Sequence, residues 1–420
     1  ALLVDDCKDP TTAQRVAAGA MRALDGAATD ESLGAAAASL LGHCALPRVA
    51  ADAHDVEPRT RGDAIGWLVA FERNRDRTAV RAHVLCALGA LARDADEDAR
   101  AVALDALAGA AAARQETPHA RAAAVLGLAQ LRCGTDGRHG ARAHDALRRA
   151  LGDGAPLVRR TAALSLAQTS TRPGAAPPAE LLGVRRILAR GVLGGRASDR
   201  PWFALALGYH LQRGEALGLE APKDAQRRLV RGLLRARGAG ETGAFALAAA
   251  LASSASQRGA QGAHAVRGIE RALDRFEGPE ERAPLHEALG ILGGGRATES
   301  EEALERTLEG ARAGAVVRWH ALRAIRLDGG SAARARALAL LASRDGPDAV
   351  WGARLAGQLH DGRLLDRLLE LTADDLTRGD DRIAAVEALG DRAAAAPWAA
   401  PLARTTPFFS PLAGSWEQDA

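Results

Sequence analysis

The 420-residue sequence predicts an all-α fold: a right-handed α-solenoid in which about nine or ten αα-hairpins stack into a superhelix. One observation behind this is a phrase that returns about every 30 to 42 residues: a basic residue, six mostly small or apolar residues, then an aliphatic. It runs Arg81 to Leu88, Arg121 to Leu128, Arg159 to Leu166, Arg200 to Leu207, Arg282 to Leu289, Arg318 to Ile325 and Arg382 to Leu389. Copies ending at Leu247 and Leu359 carry Gly240 and Gly352 where the Arg belongs. A second observation is composition: 47% of residues are hydrophobic but only 3% are aromatic, and Ala supplies much of the apolar count. Such a core is thin and closely spaced, which suits helix pairs rather than sheets, whose strands favour β-branched and aromatic residues. The third is length. A single core rarely grows past roughly 250 to 300 residues, so a regular repeat in a chain this long predicts an elongated array.

From the N-terminus, residues 1–79 read as helical, as in Ser39-Leu40-Leu41-Gly42 and Ile65-Gly66-Trp67-Leu68, but they fit the phrase poorly and are assigned as divergent first repeats that cap the array. The array itself spans 80–392. Its unit is clearest from Val80 to Ala110, where a helical run, the acidic turn Arg93 to Asp98 and a second helical run make an αα-hairpin. The acidic residues stand where the second helix begins, which suits the partial positive charge of a helix N-terminus. Gly152 to Pro156 performs the same task ahead of the Arg159 phrase, with Pro in the first turn, where its missing N–H matters little. Three connections exceed what a turn needs: Thr171 to Pro178, Gly191 to Asp199 and Gly214 to Pro222. Insertions in a solenoid tend to gather on one face, often a binding face. Residues 393–420 form a third segment, in which Pro397, Pro401, Pro407 and Pro411 exclude a regular helix. Trp398, Phe408, Phe409 and Trp416 give this extended tail two competing roles, a cap on the last hairpin or a docking segment that orders on a partner.

The stretch DGAPLVRRTAALSL, in the form Asp-x-x-x-x-Val-Arg-x-x-Ala-x-x-x-Leu, resembles the HEAT repeat family, including its bacterial variety related to the phycobilisome-lyase repeats. The resemblance covers about residues 80 to 392 and implies the superhelix, but no one activity, because such repeats scaffold many unrelated proteins. It also implies that the recurring Arg pairs with the Asp of an adjacent turn, tying repeat to repeat; Asp94, Asp153 and Asp380 are available. The rival reading places the same Arg on a concave surface, as a positive stripe for an acidic protein or a nucleic-acid backbone.

One enzyme class on this architecture, the deoxyhypusine hydroxylases, holds a di-iron centre through His-Glu dipeptides on repeated helices. Here His286-Glu287 stands by itself where a two-metal site needs several converging dipeptides, and it reads as a solvated helix face. His139 and His144 are five apart and flanked by Gly137 and Gly140, which reads as a loop. There is no H-E-x-x-H, P-loop or Gly-x-Ser-x-Gly elbow. Gly191 to Gly195 and Gly293 to Gly295 read as helix ends. Cys7, Cys44, Cys86 and Cys133 lie too far apart for a disulfide framework or a zinc site, and Cys86 reads as a small core residue. No cofactor or metal is expected.

Fifty-five basic residues stand against 52 acidic ones, interspersed, for a net charge of +3. Nearly all the positive charge is Arg, which with the abundant Ala and Gly marks a GC-rich bacterial genome and does not point to nucleic acid. No run of apolar residues is long enough to span a membrane, and a first residue other than Met leaves the compartment open. The sequence thus predicts a monomeric, non-catalytic scaffold that takes a protein partner on a concave surface. Its candidate contact residues are Arg121, Arg159, Trp202, Trp319, Trp351, Trp398, Phe408 and Phe409. A repeat-scaffold enzyme, chromophore lyase-like or a metal-dependent oxygenase, and a DNA-backbone binder are the alternatives.

Overall fold

A computed structural model describes residues 10–26, 31–44, 46, 60–73, 78–131, 138–171, 178–219, 222–254, 260–292, 331–342, 349–350, 352–353, 355–356 and 362–373. Every regular element among them is an α-helix. They are α1 (Pro10–Gly26), α2 (Glu31–His43), α3 (Arg61–Arg73), α4 (Thr78–Ala92), α5 (Glu97–Ala112), α6 (Pro118–Gln130), α7 (Arg138–Ala150) and α8 (Pro156–Ser170). There follow α9 (Pro178–Gly194), α10 (Arg200–Ala216), α11 (Lys223–Arg235), α12 (Ala239–Ser254), α13 (Ala260–Arg275), α14 (Pro279–Ile291), α15 (Ser331–Leu341) and α16 (Gly362–Ala373). The chain divides into two compact units, with the break between Leu229 and Val230, inside α11.

The first unit is a two-row stack. Helices α4, α6, α8 and α10, which carry the phrase, pack in succession on one another, and α2 begins the same row by packing on α4. A flanking row runs α3 on α5 on α7, each helix also lying against its hairpin partner in the phrase row, while α9 packs on α8 and α10. In the second unit α12 packs on α14, and α13 lies against both. The repeated aliphatic explains the row: Leu88, Leu166 and Leu207 are fully buried, Leu128 is 1% exposed and Leu247 6%. Each such Leu contributes about 1.5 to 3 kcal/mol by leaving water. Leu289 departs from the pattern and is half-buried; here the buried stripe passes to Leu285 of α14 and to Leu292 just past its end.

Small residues let the phrase helices approach closely. A Cβ on Gly127 would fall 2.8 Å from the Leu85 carbonyl oxygen and 2.7 Å from Leu107 Cδ2, and one on Gly89 would overlap the Gly127 backbone. Glycine also forms sockets within hairpins. Gly191 lies inside α9, not at its end, and receives the Phe203 ring of α10; Gly232 of α11 receives Phe245 of α12 in the same way. Of the two glycines that replace the phrase Arg, Gly240 meets open space, whereas a Cβ on Gly352 would lie 2.7 Å from the Leu341 nitrogen.

Helix starts follow their sequence signals. Asp96 caps α5 by accepting from the Ala99 N–H at 2.8 Å, and Thr117 caps α6 by accepting from the Ala120 N–H at 3.1 Å. Thr60 and Asp63 form a reciprocal box ahead of α3, through bonds of 2.8 and 3.1 Å. At the other end, α10 closes on Gly218, whose φ of +80° is the left-handed conformation that the Leu219-to-Gly214 and Gly218-to-Glu215 hydrogen bonds require. Among the described residues no helix is long and apolar enough to cross a membrane.

Candidate interaction surface

The recurring Arg is where the fold and any binding surface meet. Arg121 makes a two-pronged pair with Asp153, Nε and Nη2 donating at 3.0 and 2.9 Å, while Nη1 reaches the Glu116 carbonyl. One repeat on, Arg159 Nε donates to Asp199 at 2.7 Å and Nη1 to the Asp153 and Gly154 carbonyls at 2.8 and 2.7 Å. One repeat earlier, Arg81 Nη2 lies 2.6 Å from Glu72 and 3.2 Å from Glu116. Each acid, Glu116, Asp153 and Asp199, stands just ahead of the next phrase helix, so each Arg ties its own helix to the following one. Burial by itself would raise the Asp153 carboxyl. The Arg121 hydrogen bond, the Ala155 N–H and the charges of Arg121 and Arg159 outweigh it and hold the carboxyl below the usual range.

Arg121 and Arg159 are 8% and 6% exposed, so the structure puts both cations between repeats, held by carboxylates, rather than out on a ladder facing solvent. Asp94 pairs with Arg61 at 3.6 Å and with its neighbour Arg93, and is not part of this series. In the second unit Arg282 Nη1 donates to the Leu273 and Phe276 carbonyls at 2.9 and 3.2 Å, stapling the end of α13 to the start of α14.

Arg160, beside the buried Arg159, donates from Nε to Asp199 at 3.3 Å, and its guanidinium lies 5.8 Å from the centroid of the half-buried Trp202 ring. Asp199 therefore holds a buried Arg and a more exposed one at once, and the second stacks on an aromatic. Farther along the row, Ala35, Gly42, His83, Cys86, Ala87, Ala90 and Gln130 line a shallow hollow of about 160 Å³. Cys86 is half-buried there, between helices of successive repeats; burial pushes its thiol up to about 11, which leaves it protonated and unreactive near neutral pH.

Three histidines differ from their sequence reading. His286 and Glu287 are 5% and 1% exposed, because α14 packs against both α12 and α13; they are not a solvated face. Burial, with the charge of Arg282, lowers His286 to about 4. His139 and His144 lie inside the helix α7 and not in a loop; His144 is 3% exposed and its Nδ1 meets Glu180 of α9. The fully buried His210 has Nδ1 3.3 Å from Ser170 Oγ, and burial, then the nearby Arg185 charge, lowers it to about 4. Ser170 and His210 are both 0% exposed, so this pair is a packing feature sealed from any substrate.

Of the remaining candidates, Trp319, Trp351, Trp398, Phe408 and Phe409 lie outside the described residues. No group of three or more His, Cys, Asp or Glu side chains is arranged to hold a metal among the described residues. Sequence reasoning missed Asp199 and Arg160. Glu116 and Asp153 precede the next phrase Arg by five and six residues but Asp199 by one, so no fixed spacing finds all three. The Arg159-Arg160 doublet was the visible signal.

No family model matches the chain and no curated protein matches it in sequence. Among solved structures, the chain is similar to human deoxyhypusine hydroxylase in complex with glycerol, at 19% identity and a TM-score of 0.28, covering 74% of this chain and 97% of that one. It is also similar to a structure on tubulin recruitment and assembly by microtubule polymerases with tumor overexpressed gene domain arrays, at 9% identity and a TM-score of 0.28, covering 88% and 93%. At these TM-scores neither likeness bears on function.

Proposed function

We propose that this chain is a non-catalytic protein-interaction scaffold built on HEAT-like repeats, with the outward edge of the phrase row as its contact surface. The observation that carries the reading is the Arg160–Trp202 pair fixed by Asp199. Arg and Trp are the residue types that most often dominate protein interfaces, and a pair already ordered before binding loses little freedom on contact. The cation over the ring is held by a carboxylate that also joins two repeats, so the contact point is anchored to the stack. This makes the repeated Arg a structural tie and its neighbour Arg160 the group offered to a partner.

The test is affinity capture from the source cell with the wild-type chain and with Trp202→Ala and Arg160→Glu. The proposal expects one protein enriched in proportion to the bait and lost with both variants, while the helical circular-dichroism signal is unchanged. Equal recovery by wild type and variants removes this surface from the account; a bound chromophore or stoichiometric iron in the purified protein overturns the scaffold reading itself.

A further inference from the structure

Helix α9 presents a face that the stack leaves uncovered. Leu182 and Leu193 are 42% and 61% exposed, and between them Arg186 and Arg190 are exposed as well. Positions 182, 186, 190 and 193 are spaced by four, four and three residues, so they form one stripe along the helix. Its two ends are apolar and its middle is cationic. Arg186 donates from Nε to the Leu182 carbonyl at 3.3 Å, and neither Arg186 nor Arg190 makes an ion pair among the described residues. The sequence of α9 holds a single acid, Glu180, which His144 Nδ1 and Arg148 engage from α7. Arg148 and Arg149, both exposed, add positive charge from that neighbouring helix.

We infer that this face of α9 is a docking site for an acidic amphipathic helix of a partner protein. Leu182 and Leu193 stand eleven residues apart, about 16 Å along the axis at the rise of an α-helix, which matches three turns of an opposing helix. Such a helix would place an apolar residue against each Leu and carboxylates against Arg186 and Arg190. Two exposed Arg without an ion pair among the described residues select for negative charge, and the flanking leucines select for a partner that also buries apolar surface, which a phosphate backbone does not supply. The site is separate from the Arg160–Trp202 edge, so either can fail while the other stands.

The probe is a fluorescein-labelled synthetic 15-residue peptide, helical by design, with Leu at positions 3 and 14 and Glu at positions 7 and 10, set against a scramble of the same composition. Fluorescence anisotropy with the full chain is expected to show binding to the designed peptide at least about tenfold tighter than to the scramble. The double variant Arg186→Glu/Arg190→Glu should lose about tenfold in affinity, and a peptide with Lys at positions 7 and 10 should recover it. Leu182→Ser/Leu193→Ser should weaken the designed peptide, with the helical circular-dichroism signal kept in every variant. The inference is overturned if scramble and design bind alike, or if the charge swap brings no recovery. It is equally overturned if a duplex DNA oligonucleotide binds this face in a way that the Arg variants abolish and the Leu variants leave untouched.

Discussion

Removing the Asp199 carboxylate is the sharpest probe of how the repeats are joined. Asp199 is 2% exposed and accepts from Arg159 Nε at 2.7 Å and Arg160 Nε at 3.3 Å. In Asp199→Ala the Arg159 guanidinium stays in place, 6% exposed, without its nearest counter-charge. Breaking a buried pair in this way costs about 3 to 5 kcal/mol. The bonds that Arg159 keeps to the Asp153 and Gly154 carbonyls place the expected loss at the lower end, about 3 kcal/mol. Arg160 is 25% exposed and adds little. Because stability in a repeat array is local, the assay is native-state hydrogen exchange read by mass spectrometry, where α8 and α10 should lose protection first. The companion variant Arg159→Met/Asp199→Leu, which removes both charges and keeps the volume, should recover most of the loss. A cost below about 1 kcal/mol for Asp199→Ala, the range of a solvated pair, would refute the reasoning. So would a double variant as unstable as the single one.

Two glycine substitutions should have opposite signs. Gly89→Ala drives a Cβ into the Gly127 backbone and should destabilise by about 1 to 3 kcal/mol in chemical denaturation. Gly109→Ala, on an exposed position of α5 with nothing within 4 Å, should stabilise by about 0.5 to 1 kcal/mol in the same assay. Buried histidines should set the acid limb of stability. His210 titrates at about 4 in the folded chain against 6.5 otherwise, so its contribution is intact above pH 6.5 and falls away as pH drops towards 4. The loss is at most about 3 kcal/mol, and His210→Gln should flatten the melting-temperature profile across that window; an unchanged slope would assign the acid sensitivity elsewhere.

The buried stripe of the phrase row was legible because a Leu or Ala spaced on one helix face has no other place to go. Leu88, Leu166 and Leu207 needed no structure, and neither did the Asp96 cap. What escaped was set by neighbours rather than by the helix itself. In the first unit α4, α6 and α8 each touch a helix before, a helix after and a hairpin partner, so they are enclosed on nearly every side; in α12, packed on α13 and α14, every residue from Thr242 to Ser253 is buried. A polar side chain on such a helix looks solvated in a one-helix pattern and is not, which is why His286-Glu287 was misplaced. Gly191 misled for a related reason: it is punctuation in a sequence, but here a socket for Phe203 on the facing helix. The outward stripe of α9 escaped because it depends on which face the stack leaves bare, and that is a property of three helices together.

The claim that the phrase helices of the first unit form one row of neighbours, each held by the last and the next, is tested most directly by Leu166→Asp. Leu166 is fully buried in α8, where replacing it costs about 1.5 to 3 kcal/mol in lost burial before the unpaired charge is counted. Hydrogen exchange along the whole chain should then show protection falling in α6, α8 and α10 while α2 and α14 keep theirs. Loss confined to α8, or loss spread evenly from end to end, would contradict the row.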